Sequence, residues 1–315
     1  MGTGDIALPC FECLLKNNEG VLSCDLVGLV TQPDKPVGRK QILTAPVIKD
    51  LALAHGVPVL QPENAAATSF LTELELLRPD VIVVMAYGQI LTQTLLDMPS
   101  LAIINLHASL LPKYRGAACI QAAIDAGDEY TGITVMHVVK SLDAGDIILK
   151  KETRIGEQET GGELHDRLAQ LAPEALLEAL EQLLNGTAGR LAQNKQEASY
   201  VPKLMRADGE LDWSQSAKAI ERRIRAYDPW PGTSTLYHDK KGRARRLKIY
   251  PQTTVDEQSG KPGEILAIGE KLKVACGEGS LLLECLQPDG SRKMSAQDFA
   301  LGNPVAVGDL LGAVR

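Results

Sequence analysis

Three short apolar runs constrain the fold more than any other feature of the chain: Leu26-Val27-Gly28-Leu29-Val30, Val81-Ile82-Val83-Val84-Met85 and Leu101-Ala102-Ile103-Ile104-Asn105-Leu106. Each is too short for a helix and is bounded by turn-forming residues. Gln32-Pro33-Asp34 follows the first, Pro79-Asp80 precedes the second and Pro99-Ser100 precedes the third. Continuous apolar runs of this length are what strands buried on both faces require, and the second and third each follow a helix-like segment. The alternation predicts an α/β domain with a mainly parallel, Rossmann-like sheet. The first strand is expected to begin near Gly20-Val21 and to end at Thr31.

A longer segment opens at Gly161-Gly162-Glu163. In it Leu168, Leu171, Ala175, Leu176, Ala179, Leu180 and Leu183 recur at helical spacing up to the stop signal Asn185-Gly186. Residues 187 to 199 are polar with little apolar period, which predicts a linker over 187–205. Beyond it the texture changes to short β-like runs at 247 to 250, 263 to 268, 272 to 276 and 280 to 286, punctuated by Gly and Pro. Strands at this spacing predict a small β-barrel of OB-like type over 206–315, preceded by an amphipathic helix from Ser216 to Tyr227. The first domain is accordingly expected over 1–186.

Charge divides along the same boundary. Up to residue 205 there are 16 basic and 25 acidic residues, whereas 206–315 holds 17 basic and 15 acidic. The second part is therefore the expected polyanion surface, despite a net charge of −7 for the whole chain. Six scattered cysteines in 315 residues do not make a disulfide framework, and Cys10-Phe11-Glu12-Cys13 has no second pair to complete a zinc site. No apolar stretch approaches the roughly 20 residues that span a bilayer. Reduced thiols, a cytoplasmic location, no metal, no membrane partner and a monomer are expected.

Asn105 and His107 fall two apart at the carboxyl end of the third predicted strand, so both side chains point the same way, into the crevice where open α/β sheets bind ligands. Asp143 lies in the turn-forming stretch Ser141-Leu142-Asp143-Ala144-Gly145-Asp146, after a predicted strand over 132 to 139. An amide, an imidazole and a carboxylate without a Ser or Cys nucleophile imply direct attack by the substrate. Asn and a protonated His would donate to a developing oxyanion, while the carboxylate raises the His pKa and takes up a proton. The blander alternatives are a hydrogen-bonded structural histidine and a turn aspartate. A metal site built from His107, Asp143 and Cys119 lacks recognised ligand spacing.

Asn105-Leu106-His107-Ala108-Ser109-Leu110-Leu111-Pro112 and Leu142-Asp143-Ala144-Gly145-Asp146 resemble the signature of the folate-dependent formyltransferases. From Met1 to about Gly312 the chain is similar to the members that formylate methionyl-tRNA. Thr31 to Arg39, Ala86 to Leu91, Tyr200 to Lys203 and Ile224 to Gly232 match that family's segments in order. The resemblance implies 10-formyltetrahydrofolate as formyl donor and initiator methionyl-tRNA as acceptor. It implies Asn105, His107 and Asp143 as catalytic residues. It further implies that Ser109, Leu110, Leu111 and Pro112 line the folate site, with Gln89, Ile90 and Leu91 bordering the pterin. Lys35, Arg39 and Lys40, on a loop shorter and less basic than usual, would meet the acceptor end of the tRNA. Lys203 would stand where that end arrives, and Arg243, Arg245 and Arg246 would track phosphates; solvated loop charge is the alternative for the basic residues.

The family usually has Pro where this chain has Cys119, which alters loop stiffness without removing a catalytic group. Met1-Gly2-Thr3 resembles the loop that follows a first, central strand in relatives, so the first strand is expected to be missing from the sequence as given. Formyltransferases acting on glycinamide ribonucleotide or an amino sugar nucleotide share the catalytic triplet, and a non-catalytic tRNA-binding relative is a further alternative. The β-rich region after 206 and the intact triplet argue against them.

Overall fold

Apolar runs become strands here where they can be buried on both sides. The computed structural model describes residues 1–17, 24–38 and 40–312, and its contacts divide into two units. The first holds Met1–Cys119, Tyr130–Arg154 and His165–Val201; the second holds Ile120–Glu129, Ile155–Leu164 and Pro202–Arg315. Two stretches of the expected first domain thus group with the C-terminal part.

In the first unit α1 (Leu8–Asn17) precedes β1 (Leu29–Val30), and a hairpin of β2 (Lys35–Val37) and β3 (Ile42–Thr44) leads to α2 (Val47–Ala54) and β4 (Val59–Leu60). Then come α3 (Thr68–Leu76), β5 (Val81–Val84), α4 (Gln93–Leu96), β6 (Ala102–His107) and β7 (Arg115–Gly116), before α5 (Cys119–Ala126), which after Cys119 groups with the second unit. The hairpin of β8 (Tyr130–His137) and β9 (Ile147–Arg154), α6 (Gly161–Leu184) and β10 (Tyr200–Val201) follow. β1 pairs in parallel with β4, and β5 with β6; β8 and β9 then add antiparallel strands to β6. The pairs β1-β4 and β5-β6 are parallel, and the sheet changes direction at β8, which runs antiparallel to both of its neighbours, β6 and β9.

Only residues 29 and 30 of the first apolar run form a strand, and its expected beginning at 20–21 lies outside the described residues. Met1 and Gly2 lie between β1 and β5. The Gly2 amide donates to the Val30 carbonyl and the Met85 amide to the Met1 carbonyl, both at 3.0 Å, while the Met1 amino group donates to the Val83 carbonyl. On the amino-terminal side of this pairing an apolar cavity of 380 Å³ is bordered by residues of both strand edges and by Phe11, Leu74 and Leu180. One face of the sheet buries Ile82, Val84 and Ile103 in a cluster with Phe70, Leu74 and Leu95. Helix α6 is as long as its apolar period predicts and buries Leu168, Ala172, Ala175, Leu176 and Ala179.

The expected linker is tied down over much of its length. Leu191 exchanges backbone hydrogen bonds with Ile147, and β10 pairs in parallel with β7, so residues up to Val201 belong to the first unit. Its polar composition reflects exposure rather than freedom.

The second unit contains α7 (Ala217–Ala226), capped by the Ser216 hydroxyl, then β11 (Thr233–His238), β12 (Ala244–Ile249), β13 (Thr253–Asp256), β14 (Ile265–Ile268), β15 (Leu272–Ala275), β16 (Ser280–Leu283), β17 (Cys285–Pro288), β18 (Met294–Ser295) and α8 (Ala296–Gly302). The strands form two four-stranded antiparallel sheets, in the orders β11-β12-β17-β18 and β13-β16-β15-β14. Leu247, Ile249, Leu272, Val274, Leu281, Leu283 and Leu286 from both sheets share one core with Ile220, Ile224 and Phe299. No ladder closes the two sheets into a barrel among the described residues. All six cysteines are free thiols, and burial pushes that of Cys10, on α1, up to about 12. No helix among the described residues is long and apolar enough to cross a membrane.

Candidate active site

Asn105 and His107 leave β6 on one face, opposite Met136 and Thr134 of β8. Asp143 reaches them from the turn between β8 and β9. Its backbone is left-handed at φ 47°, a conformation that Asp tolerates better than most residues. Its Oδ2 accepts from the Gly116 amide at 2.8 Å and lies 3.8 Å from His107 Nδ1. A Cβ at position 116 would collide with the Val201 carbonyl, and φ there is 106°, so glycine alone permits the strand pairing that aims this amide.

His107 is buried, with Nε2 at 2.9 Å from the Tyr114 carbonyl. Burial by itself favours the neutral ring. The Cys119 sulfur, the Asp143 carboxylate and the Tyr114 carbonyl outweigh it and push the His107 pKa up to about 9. The imidazole is therefore cationic at neutral pH. Both ring nitrogens have protein partners, whereas the half-buried Asn105 carboxamide has no hydrogen-bond partner among the described residues. Direct donation from His107 to a substrate oxygen, expected from sequence, requires an exchange of partners, while Asn105 is ready to donate. No group of three His, Cys, Asp or Glu residues among the described residues is placed to hold a metal ion.

Around this triplet stands a polar frame that sequence reasoning missed. The Arg115 guanidinium is buried without a carboxylate partner among the described residues; it donates to Gln193 Oε1 through Nε (3.1 Å) and Nη2 (2.7 Å), and to the Tyr200 hydroxyl at 2.9 Å. Gln193 Nε2 in turn donates to the carbonyls of Asp143 (2.9 Å) and Gly145 (2.8 Å), gripping the turn that carries the Asp143 carboxylate. The fully buried Thr134 hydroxyl donates to the Ser109 carbonyl at 2.6 Å and accepts from the Leu111 amide at 3.1 Å, fixing the loop after β6. Gln193 stands in a polar stretch and Thr134 in an apolar strand; the second, a hydroxyl in a buried run, was the one readable signal.

A family model described as formyl transferase matches residues 2–180, and one described as formyl transferase, C-terminal domain, matches 203–304. This chain belongs to the formyl transferase family. A methionyl-tRNA formyltransferase of Akkermansia muciniphila is 52% identical over 306 residues, covering 96% of each chain. Another, of Alkaliphilus oremlandii, is 41% identical over 99% of this chain and 98% of its own. The crystal structure of an N-formyltransferase of Helicobacter canadensis, in complex with folinic acid and dTDP-3-aminofucose, superposes with a TM-score of 0.62 at 16% identity, over 93% of this chain and 97% of that one. The last likeness concerns the fold alone.

Of the formyl-transferase positions expected to line the folate site, Ser109 and Leu111 do not present their side chains. Ser109 is fully buried with its hydroxyl donated to the Lys113 carbonyl at 2.7 Å, and Leu111 is fully buried against Met136 and Ile147. They hold the loop; Leu110 and Pro112 remain half-buried. Gln89 is spent on structure too, linking the Pro62 carbonyl to the Ala65 amide. Ile90, which position alone would make a core residue, is 88% exposed, while Leu91 packs partly on the sheet.

The expected tRNA contacts separate. Lys35 sits on the exposed β2-β3 hairpin and donates to Gln32 Oε1 at 3.2 Å; Lys40 is exposed beside it, and Arg39 lies outside the described residues. Lys203 is exposed at the start of the second unit. Arg243 is paired with Asp239 at 2.7 Å across the hairpin tip, and Arg245, exposed, alternates to the opposite face of β12 from Arg246.

Proposed function

We propose that this chain transfers the formyl group of 10-formyltetrahydrofolate to the α-amino group of initiator methionyl-tRNA, giving the formylated initiator for translation. The observation that carries this reading is the 52% identity, over nearly all of both chains, to a relative named for that reaction. The match runs through the C-terminal domain, the part expected to separate tRNA-directed members from those acting on small amines.

In the mechanism the amine adds to the formyl carbon, the bond from that carbon to the folate nitrogen breaks, and one proton passes from the amine to that nitrogen. Asn105, unpartnered among the described residues, donates to the formyl oxygen as negative charge grows on it. The buried His107 cation stabilises the same charge at low dielectric, and Asp143, 3.8 Å from its ring, keeps it protonated and accepts the proton that the amine sheds. Exposed Ile90, with Leu91, Leu110 and Pro112, offers apolar surface to the folate ring. Lys35, Arg39, Lys40, Lys203, Arg245 and Arg246 serve the tRNA, with Arg243 released from Asp239 to join them. We assign the N-terminal part, expected from sequence over 1–186 and extended through Val201 by its contacts, to catalysis and 206–315 to tRNA, in a monomeric cytoplasmic enzyme without a metal.

The test is formyl transfer from 10-formyltetrahydrofolate to methionyl-initiator tRNA, methionyl-elongator tRNA or glycinamide ribonucleotide. Turnover is expected with the first. Formylation of glycinamide ribonucleotide alone would overturn the proposal.

A further inference from the structure

Within the second unit, lined by none of the residues so far given a catalytic role, lies a cavity of 350 Å³. That is the low end of the range of roughly 300–1,000 Å³ for small-molecule sites. One wall is the outward face of β12. Alternation there buries Leu247 and Ile249 in the core and turns Arg246 and Lys248 out. Arg206 adds a third cation, and none of the three has an ion-pair partner among the described residues. Trp230, half exposed, provides an apolar wall; the Tyr250 ring, also lining the cavity, already carries the Lys293 ammonium 4.0 Å from its centre. Asp228 and Asp289 also line the cavity.

The geometry points to a subsite for one unpaired nucleotide of the RNA substrate, its base stacked on Trp230 and its phosphate held by Arg206, Arg246 and Lys248. This rests on the tRNA reading above and specifies it. Each wall has a counterpart in a nucleotide. An indole face stacks on any base, three unpaired cations match a phosphate, and carboxylates accept from base amines and ribose hydroxyls. Those same carboxylates oppose an acidic peptide. A concave site with one aromatic wall admits a single splayed base, whereas a duplex would meet only its rim.

The experiment compares wild type with Trp230→Ala, Trp230→Phe and the double variant Arg246→Gln/Lys248→Gln. Trp230→Ala should raise KM for methionyl-tRNA about tenfold, in the range of one lost base stack, with KM for the formyl donor unchanged. Trp230→Phe, which keeps a ring, should recover most of that loss. The double variant should raise KM for tRNA and flatten its dependence on salt by about one phosphate contact. Separately, an RNA tetranucleotide should quench the wild-type tryptophan emission, in which Trp230 is the exposed indole and Trp213 is buried, and should quench the double variant less. If wild type formylates methionyl-tRNA while the variants keep its KM and salt slope, the subsite is refuted and the activity stands. If wild type does not formylate methionyl-tRNA, the activity falls, and the tetranucleotide titration alone decides the subsite. If Trp230→Ala is unfolded, the double variant and the tetranucleotide titration decide.

Discussion

Replacing Gln193 by leucine keeps the side-chain volume and removes every polar contact that joins Arg115 to the turn carrying Asp143. Two neutral bonds disappear, to the Asp143 and Gly145 carbonyls, each contributing about 1 kcal/mol. The two guanidinium bonds share a single acceptor, and losing them leaves the buried Arg115 with Tyr200 as its remaining side-chain partner, at about 2 kcal/mol for the charged group. The expected loss is about 4 kcal/mol, a large part of the 5–15 kcal/mol typical of a folded domain. It should appear as a lower urea midpoint with unchanged slope. With the turn released, kcat/KM should fall about 10²-fold, the scale of an ångström-sized misplacement.

Gln193→Glu separates the two halves of the effect. A carboxylate keeps, and charges, the contact with Arg115 but sets an oxygen against the two carbonyls. This variant should recover most of the stability and little of the activity. A leucine variant within 1 kcal/mol of wild type that also turns over normally would refute the claim that Gln193 organises the site.

His107→Ala should lower turnover by about 10²-fold or more in the same formylation assay, as for a lost charge-stabilising group. The folded-state pKa of His107, about 9, lies above its ordinary 6.5, so the stability linked to its protonation is complete below 6.5 and is lost as pH rises through 9. Wild type should therefore lose urea resistance across that window relative to His107→Asn, and its kcat should decline along the same limb. Thr134→Val strands the Ser109 carbonyl and the Leu111 amide in the core, at about 2–4 kcal/mol by chemical denaturation. Ile90→Asp should raise KM for the formyl donor several-fold, because it sets a charge on a surface that is otherwise apolar, while leaving the melting temperature unchanged at this exposed position.

Strands β5 and β6 were legible because nothing but burial on both faces explains their composition, and prolines mark where they start. β11 was not: Thr233-Ser234-Thr235 follows Pro229-Trp230-Pro231-Gly232, and these polar residues are buried where they pair with β12, opposite Ile249, Lys248 and Leu247. In the site, the period of a strand was enough to put Asn105 and His107 on one face. It could not show that Ser109 turns inward to the Lys113 carbonyl, or that the His107 ring is already engaged. Gln193 was invisible for a deeper reason. Its partners stand 48 to 78 positions away, so its role is set by tertiary contacts that neither propensity nor local pattern encodes.

The tie between β10 and β7 changes where this protein can be cut. A fragment ending at residue 186 follows the composition of the chain and looks like a complete catalytic module. It would nevertheless lack Gln193, Ser199 and Tyr200, whose side chains hold Arg115, the Tyr114 amide and the turn at Asp143. Dissection of the two proposed activities, formyl transfer and RNA capture, should therefore keep the chain through Val201 with the N-terminal part.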